Sequence, residues 1–112
     1  MGVKKRRSTC PVACTLDILG DKWTMVVVRD MFLGASKFGD FLASPENIPT
    51  NILADRLKRL ENEGIVSKTA YQSHPVRYTY ALTGMGEDLR PLIRAMVEWG
   101  TKYKSAVILK RA

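Results

Sequence analysis

Residues 49–64, PTNILADRLKRLENEG, are the most tightly punctuated stretch of the chain, and they constrain what lies on either side. Proline pushes the residue before it into an extended conformation, so Ile48 must lie outside any helix that follows. Leu53, Leu57 and Leu60 then recur at helical spacing, and Gly64 supplies a stop. The spacing predicts a helix over 50–63. At about 100° per residue, Leu57 and Leu60 fall within about 40° of Leu53, whereas Asn51, Asp55, Lys58 and Asn62 lie about 140–200° away, with Ala54 and Arg59 on the flanks. Directly after the stop, Ile65 to Tyr71 is β-like and Arg77 to Leu82 alternates, with Tyr78, Tyr80 and Leu82 on one side. QSHPV, Gln72 to Val76, interrupts the two, so 65–82 reads as a hairpin.

The flanking segments are helical. Pro11 suits a first helical position behind Cys10, and Val12, Leu16 and Leu19 give that helix an apolar face. Gly20 is expected to end it in a left-handed conformation, and Asp21 to cap the next helix. That second helix, about 22–33, carries Trp23, Met25, Val26, Val27, Met31 and Phe32, and Gly34 stops it. Ser36 is the expected cap of a short third helix with Phe38, Phe41 and Leu42, before SPENIP breaks regular structure. After the hairpin, Thr83 begins a long helix with Leu89, Leu92, Ile93, Met96, Val97, Trp99 and Tyr103, which Pro91 either bends or marks as a late start.

The resulting fold class is mainly α with a small β-hairpin (α+β). A short helix, a turn, a capped helix and a hairpin, in that order, make a winged helix-turn-helix, in which the second helix of the motif enters the major groove of DNA. On the predicted helix, Thr50, Asn51, Ala54, Asp55, Lys58 and Arg59 form a short, polar outer face. Small polar side chains allow close approach and hydrogen bonds to base edges, and a free helix N-terminus favours a phosphate. Gln72, His74 and Arg77 of the hairpin could touch the duplex, and Lys37 and Lys68 could contact phosphate. Each feature also fits a plain solvated face or turn, which most amphipathic helices and hairpins have.

Charge alone does not decide between these. Of the net charge of +7, Lys4, Lys5, Arg6 and Arg7 supply four and Lys110 with Arg111 two, so the body is nearly neutral. The expected organisation is a basic N-terminal tail over 1–9, one domain over 10–104 and a C-terminal tail over 105–112. Cys10 and Cys14 are too few for a disulfide scaffold, and with His74 as the single histidine no metal site is expected. No apolar run approaches the roughly 18–20 residues that span a bilayer, and no signal-peptide core follows the basic run, so no membrane association and a cytoplasmic location are expected. No Cys–His pairing, Gly-rich phosphate loop or paired-carboxylate motif points to an enzyme, and no cofactor is expected.

Taken together, CPV at Cys10–Val12, LDILGDKW at Leu16–Trp23, KFGDF at Lys37–Phe41, IPTNILADRLKRLENEGIV at Ile48–Val66, RYTYALTGMG at Arg77–Gly86 and EWG at Glu98–Gly100 resemble the HxlR-type transcriptional regulators, a bacterial winged-helix group related to MarR. The resemblance runs from about Cys10 to Gly100. It implies a winged helix-turn-helix with N- and C-terminal dimerisation helices. Val12, Leu16 and Leu19 of the first helix and Leu92, Ile93, Met96, Val97, Trp99 and Tyr103 of the last would then form the homodimer interface, at least in part. It implies a sequence-specific double-stranded DNA-binding regulator, most often a repressor, reading an inverted-repeat operator. Cys10 matches the cysteine that some members use to sense oxidants or electrophiles. A thiolate there would be favoured by the helix N-terminus and the KKRR run, although a small packing residue fits the position too. Cys14 departs from the pattern, and a small-molecule or oxidant effector stays open. Relatives often carry serine where this chain has Pro49, which shifts the helix cap or leaves it to Thr50. A winged helix that binds proteins instead of DNA is the alternative.

Overall fold

The computed structural model describes residues 8–104, so the KKRR run and the 105–112 tail lie outside the described residues. In chain order the elements are α1 (Pro11–Leu19), α2 (Thr24–Phe32), α3 (Phe38–Leu42), α4 (Thr50–Asn62), β1 (Val66–Ser73), β2 (Val76–Leu82), α5 (Gly84–Glu87) and α6 (Arg90–Tyr103). The core takes Val27 and Val28 from α2, Phe41 from α3, the three α4 leucines, and Ile48, Ile65, Val66 and Ile93. Fully burying such a side chain contributes roughly 1.5–3 kcal/mol, so the core is what holds α2 to α4.

Two glycines end helices as the sequence predicts. Gly64 sits at φ +82° and Gly34 at φ +109°, backbone conformations that favour glycine. In each case the two residues after the cap fold back on the helix. Gly64 N–H donates to Glu61 O at 3.0 Å and Ile65 N–H to Leu60 O at 2.9 Å, while Gly34 N–H donates to Met31 O at 3.1 Å and Ala35 N–H to Asp30 O at 2.9 Å. This Schellman pattern satisfies carbonyls that the helix would otherwise leave open. Gly20 behaves differently. Its φ is −83°, not left-handed, and its N–H closes α1 on Leu16 O.

Three other local expectations change. Asp40, not Ser36, caps α3: its carboxylate accepts from the Lys37 N–H at 2.9 Å and the Ser36 N–H at 3.0 Å. The strands run further towards the tip than expected, because Ser73 pairs with Val76 and only His74 and Pro75 form the turn. The extra residue is taken up by a bulge between Ala70 and Gln72, which leaves Tyr71 unpaired. At the far end, the long helix is two: Thr83 caps α5 by accepting from Gly86 N–H at 3.2 Å, and Pro91 sits in the first turn of α6. A proline there loses no helical hydrogen bond, so it marks a late start.

The hairpin is not packed on helices alone. Lys37 bridges Thr79, and Tyr80 N–H donates to Ser36 O at 2.7 Å, so the segment before α3 adds a rudimentary third strand beside β2. Tyr80 also meets Phe41 edge-on at 6.4 Å. These contacts fix the wing against the helix-turn-helix.

Candidate nucleic-acid interface

Helix α4 presents a face fixed from behind. Leu53, Leu57 and Leu60 are buried, while Thr50, Asn51, Ala54, Asp55 and Lys58 are exposed. Pro49 is the N-cap residue, and no side chain caps the helix, Thr50 included. The first N–H groups of α4 therefore point outward without a side-chain acceptor, which is the geometry that attracts an anion.

Two arginines that the sequence reading passed over hold this helix in place. Arg56 Nε donates to Asp21 Oδ2 at 2.8 Å, tying the middle of α4 to the turn before α2, and its Nη1 donates to Asp55. Asp21 also accepts from the Trp23 and Thr24 N–H groups at 3.1 and 3.2 Å, so it satisfies the donors at the start of α2 as a cap would, although α2 begins at Thr24, two residues later than the sequence predicts, and its N-cap residue is Trp23. Burial opposes its ionisation, but the bonds from Thr24, Arg56 and the Trp23 N–H outweigh burial and hold the carboxyl well below the usual range. The second arginine, Arg29 of α2, donates to Glu46 at 2.7 and 2.8 Å, to Asp30 at 2.7 Å and to Ser44 at 2.8 Å, bracing the segment that leads into α4. Hydrogen bonds from Arg29 hold Glu46 down at about 2.

Arg59 departs from the expected reading face. It is only half exposed, and its guanidinium turns towards the α1–α2 turn, 4.0 Å from Asp21. Together with Asp17, Thr24 and Glu63 it lines a small cavity of about 190 Å³. Lys58 makes no ion pair among the described residues, and neither does Arg77 on β2. His74 lies exposed at the wing tip with Nδ1 3.0 Å from Ser73 Oγ. Lys37 stands 4.7 Å over the Tyr71 ring. Lys68 stands 4.4 Å over the Tyr78 ring and lies 3.7 Å from Glu61, so its charge is partly answered within the chain while it links β1 to α4.

The proposed dimerisation helices divide in two. Leu19 and Ile93 are buried in the chain's own core, and Val97 packs against it, because helical spacing marks an apolar face without saying which neighbour covers it. Val12 and Leu16 of α1, and Leu92, Met96, Trp99 and Tyr103 of α6, stay exposed. Cys10 is exposed as the N-cap residue of α1, and the Ala13 and Val12 N–H groups pull its thiol pKa down. Cys14 is half-buried and donates through Sγ to Ser8 O at 3.3 Å.

A family of HxlR-like helix-turn-helix proteins matches residues 18–107. The chain belongs to that family. The HTH-type transcriptional regulator YdeP of Bacillus subtilis (strain 168) is 35% identical over 98 residues, 88% of this chain and 77% of YdeP. Among solved structures, the redox regulator HypR in its oxidized form is 34% identical with a TM-score of 0.76, over 86% of this chain and 99% of HypR. The reduced form of the transcriptional regulator YodB from B. subtilis is 26% identical with a TM-score of 0.70, over 89% of this chain and 99% of YodB. The HxlR-like chain is thus a winged helix-turn-helix transcriptional regulator by family, not an enzyme. Among the described residues no helix is long and apolar enough to cross a membrane, and no cluster of metal-ligating side chains occurs.

Proposed function

We propose that this HxlR-family chain is a sequence-specific double-stranded DNA-binding repressor that acts as a homodimer in the cytoplasm. The reading is carried by the outer face of α4: exposed, polar, open at its N-terminus, and braced from behind by Arg29 and Arg56. Thr50, Asn51, Ala54, Asp55 and Lys58 would meet base edges, with the wing, Arg77 foremost, on the backbone or in the minor groove. His74, Lys37 and Lys68 are secondary backbone contacts. The exposed apolar residues of α1 and α6 support a two-fold dimer, which places two reading helices about 34–36 Å apart and calls for an inverted-repeat operator.

Cys10 is the proposed sensor. It is exposed, sits at a helix N-terminus and has a lowered thiol pKa, and the thiolate is the form that oxidants attack. The likeness to HypR, a redox regulator, points the same way. A mobility-shift titration against the DNA upstream of the protein's own gene tests both halves. The expected shift weakens steeply with salt, because phosphate contacts release counterions. Diamide should release the wild type and spare Cys10→Ser. No shift with any duplex at low salt would overturn DNA binding, and equal diamide responses would remove Cys10 from the mechanism.

A further inference from the structure

Asp55 is an acidic side chain in the middle of a surface proposed to meet a polyanion. It lies almost diametrically opposite the buried Leu53–Leu57–Leu60 stripe, and its side chain is 56% exposed. A carboxylate placed there repels phosphates and weakens binding to DNA in general. The structure shows how it is tolerated. Arg56 is divided between two acids: its Nε holds Asp21 Oδ2 at 2.8 Å, and its Nη1 holds Asp55 Oδ2. Arg56 is itself mostly covered, with a side-chain exposure of 16%, so its position is set by the Asp21 side rather than by solvent. One oxygen of Asp55 is thereby tied down, and Oδ1 makes no hydrogen bond among the described residues. The result is one acceptor oxygen left without a partner among the described residues, on an exposed carboxylate whose charge Arg56 partly offsets.

We infer that Asp55 is a specificity-determining residue that accepts a hydrogen bond from a base amino group in the major groove, the N4 amino group of cytosine. An acidic side chain reads cytosine because that base presents a donor in the groove, whereas guanine and thymine present acceptor oxygens that a carboxylate repels. Adenine also presents an amino donor, but beside it lies the N7 acceptor, which the carboxylate meets unfavourably. Arg56 acts as a positioning residue: it does not touch the base, and by pairing with one oxygen it holds the Asp55 carboxylate in place. Lys58 and Asn51 flank the same face and stay available to phosphate or neighbouring bases.

This inference rests on the proposed DNA binding, and one experiment separates the two. Duplexes with a randomised half-site are selected by the full chain, and selected pools are compared for wild type, Asp55→Ala and Asp55→Asn. Wild type should enrich a C·G pair, in one orientation, at one symmetric position of each half-site by about five- to tenfold. Asp55→Ala should lose that enrichment while binding non-specific duplex more tightly than wild type, and Asp55→Asn should shift the preference towards A·T, since asparagine suits adenine. Asp55 is exposed, and circular dichroism on each variant confirms that the fold is retained. Failure of wild type to select any duplex overturns the DNA-binding reading and the inference with it. Selection by wild type with an unchanged preference in Asp55→Ala leaves DNA binding standing and overturns the role of Asp55.

Discussion

Helices α4 and α6 carry apolar residues at the same helical spacing and use them in opposite ways. In α4 the stripe is wholly enclosed, with Leu53, Leu57 and Leu60 at 0, 2 and 1% exposure. In α6 only Ile93 is buried, at 4%, while Met96, Trp99 and Tyr103 stand 49, 59 and 59% exposed. The Trp99 and Tyr103 rings lie against each other at 5.5 Å on the outside of the molecule. One helix thus has its apolar face satisfied within the chain and offers a polar one outward. The other has two apolar faces, one for its own core and one for something else. An amphipathic pattern says that a face is to be covered; only the tertiary arrangement says whether the same chain covers it.

The largest test of that difference is truncation of the two stripes. Leu57→Ala opens a cavity in the core and should lower unfolding stability by about 2–5 kcal/mol. Denaturant unfolding followed by circular dichroism measures it. Trp99→Ala, compared at a protein concentration low enough to keep the chains apart, should change subunit stability far less, since in the single chain the ring is 59% exposed. Equal losses would mean that α6 is held as α4 is, and the comparison would fail. The next effect is on assembly. Trp99→Ala combined with Met96→Ala should weaken self-association by tenfold or more, on the expectation that central aromatic residues each contribute above about 1 kcal/mol to an interface. Sedimentation equilibrium over a range of concentrations reads this directly. An unchanged association constant would take the outer face of α6 out of the dimer interface and leave its exposure without an account.

The same contrast explains what the sequence made legible. Helix α4 and its stop and the hairpin are written in local signals: a proline, a glycine, a period of 3.6 or of 2. Pro91 announced either a bend or a late start, and only the folded chain, with α5 and α6 separate, decides for the late start. The polar outer face of α4 follows from the same periodicity. What escaped the sequence depends on partners far along the chain. Arg56 reaches Asp21 across 35 positions and Arg29 reaches Glu46 across 17, so neither reads as an anchor until the chain is folded. Arg59, placed on the reading face by its wheel position, turns to the side because Asp21 draws it there. Leu19 and Ile93 moved from the expected interface into the core for a related reason: α1 and α6 each carry more apolar residues than one side can use. The bridge from Lys37 to Thr79 had no alternating run to announce it.

The smallest effect sharpens the comparison from the side of charge. Helix α4 is braced through two carboxylates, Asp21 on Arg56 and Glu46 on Arg29, whereas the ion pair nearest the start of α6, Arg90 with Glu87 at 2.9 Å, is exposed and local. Both bracing carboxylates have folded-state pKa values below their ordinary ones, Glu46 at about 2 against 4.5. A depressed carboxylate stabilises the fold fully above its unfolded pKa, and that contribution drains away as pH falls through the folded value. The acid window for Glu46 is therefore from about 4.5 down to about 2. Because Glu46 is 38% exposed, solvent screens the pair, and its share is below about 1 kcal/mol. Urea unfolding at about pH 6 and about pH 3 should show wild type losing more stability than Arg29→Met, in which the Glu46 partner is already gone. Parallel losses in the two proteins would show that Arg29 does not carry the acid sensitivity of the α4 brace. Hydrogen exchange adds the regional reading: corrected for the slower intrinsic exchange in acid, protection should fall at the start of α4 ahead of the middle of α6, since the residues that steady α6 from within, Ile93 and Val97, carry no charge to titrate.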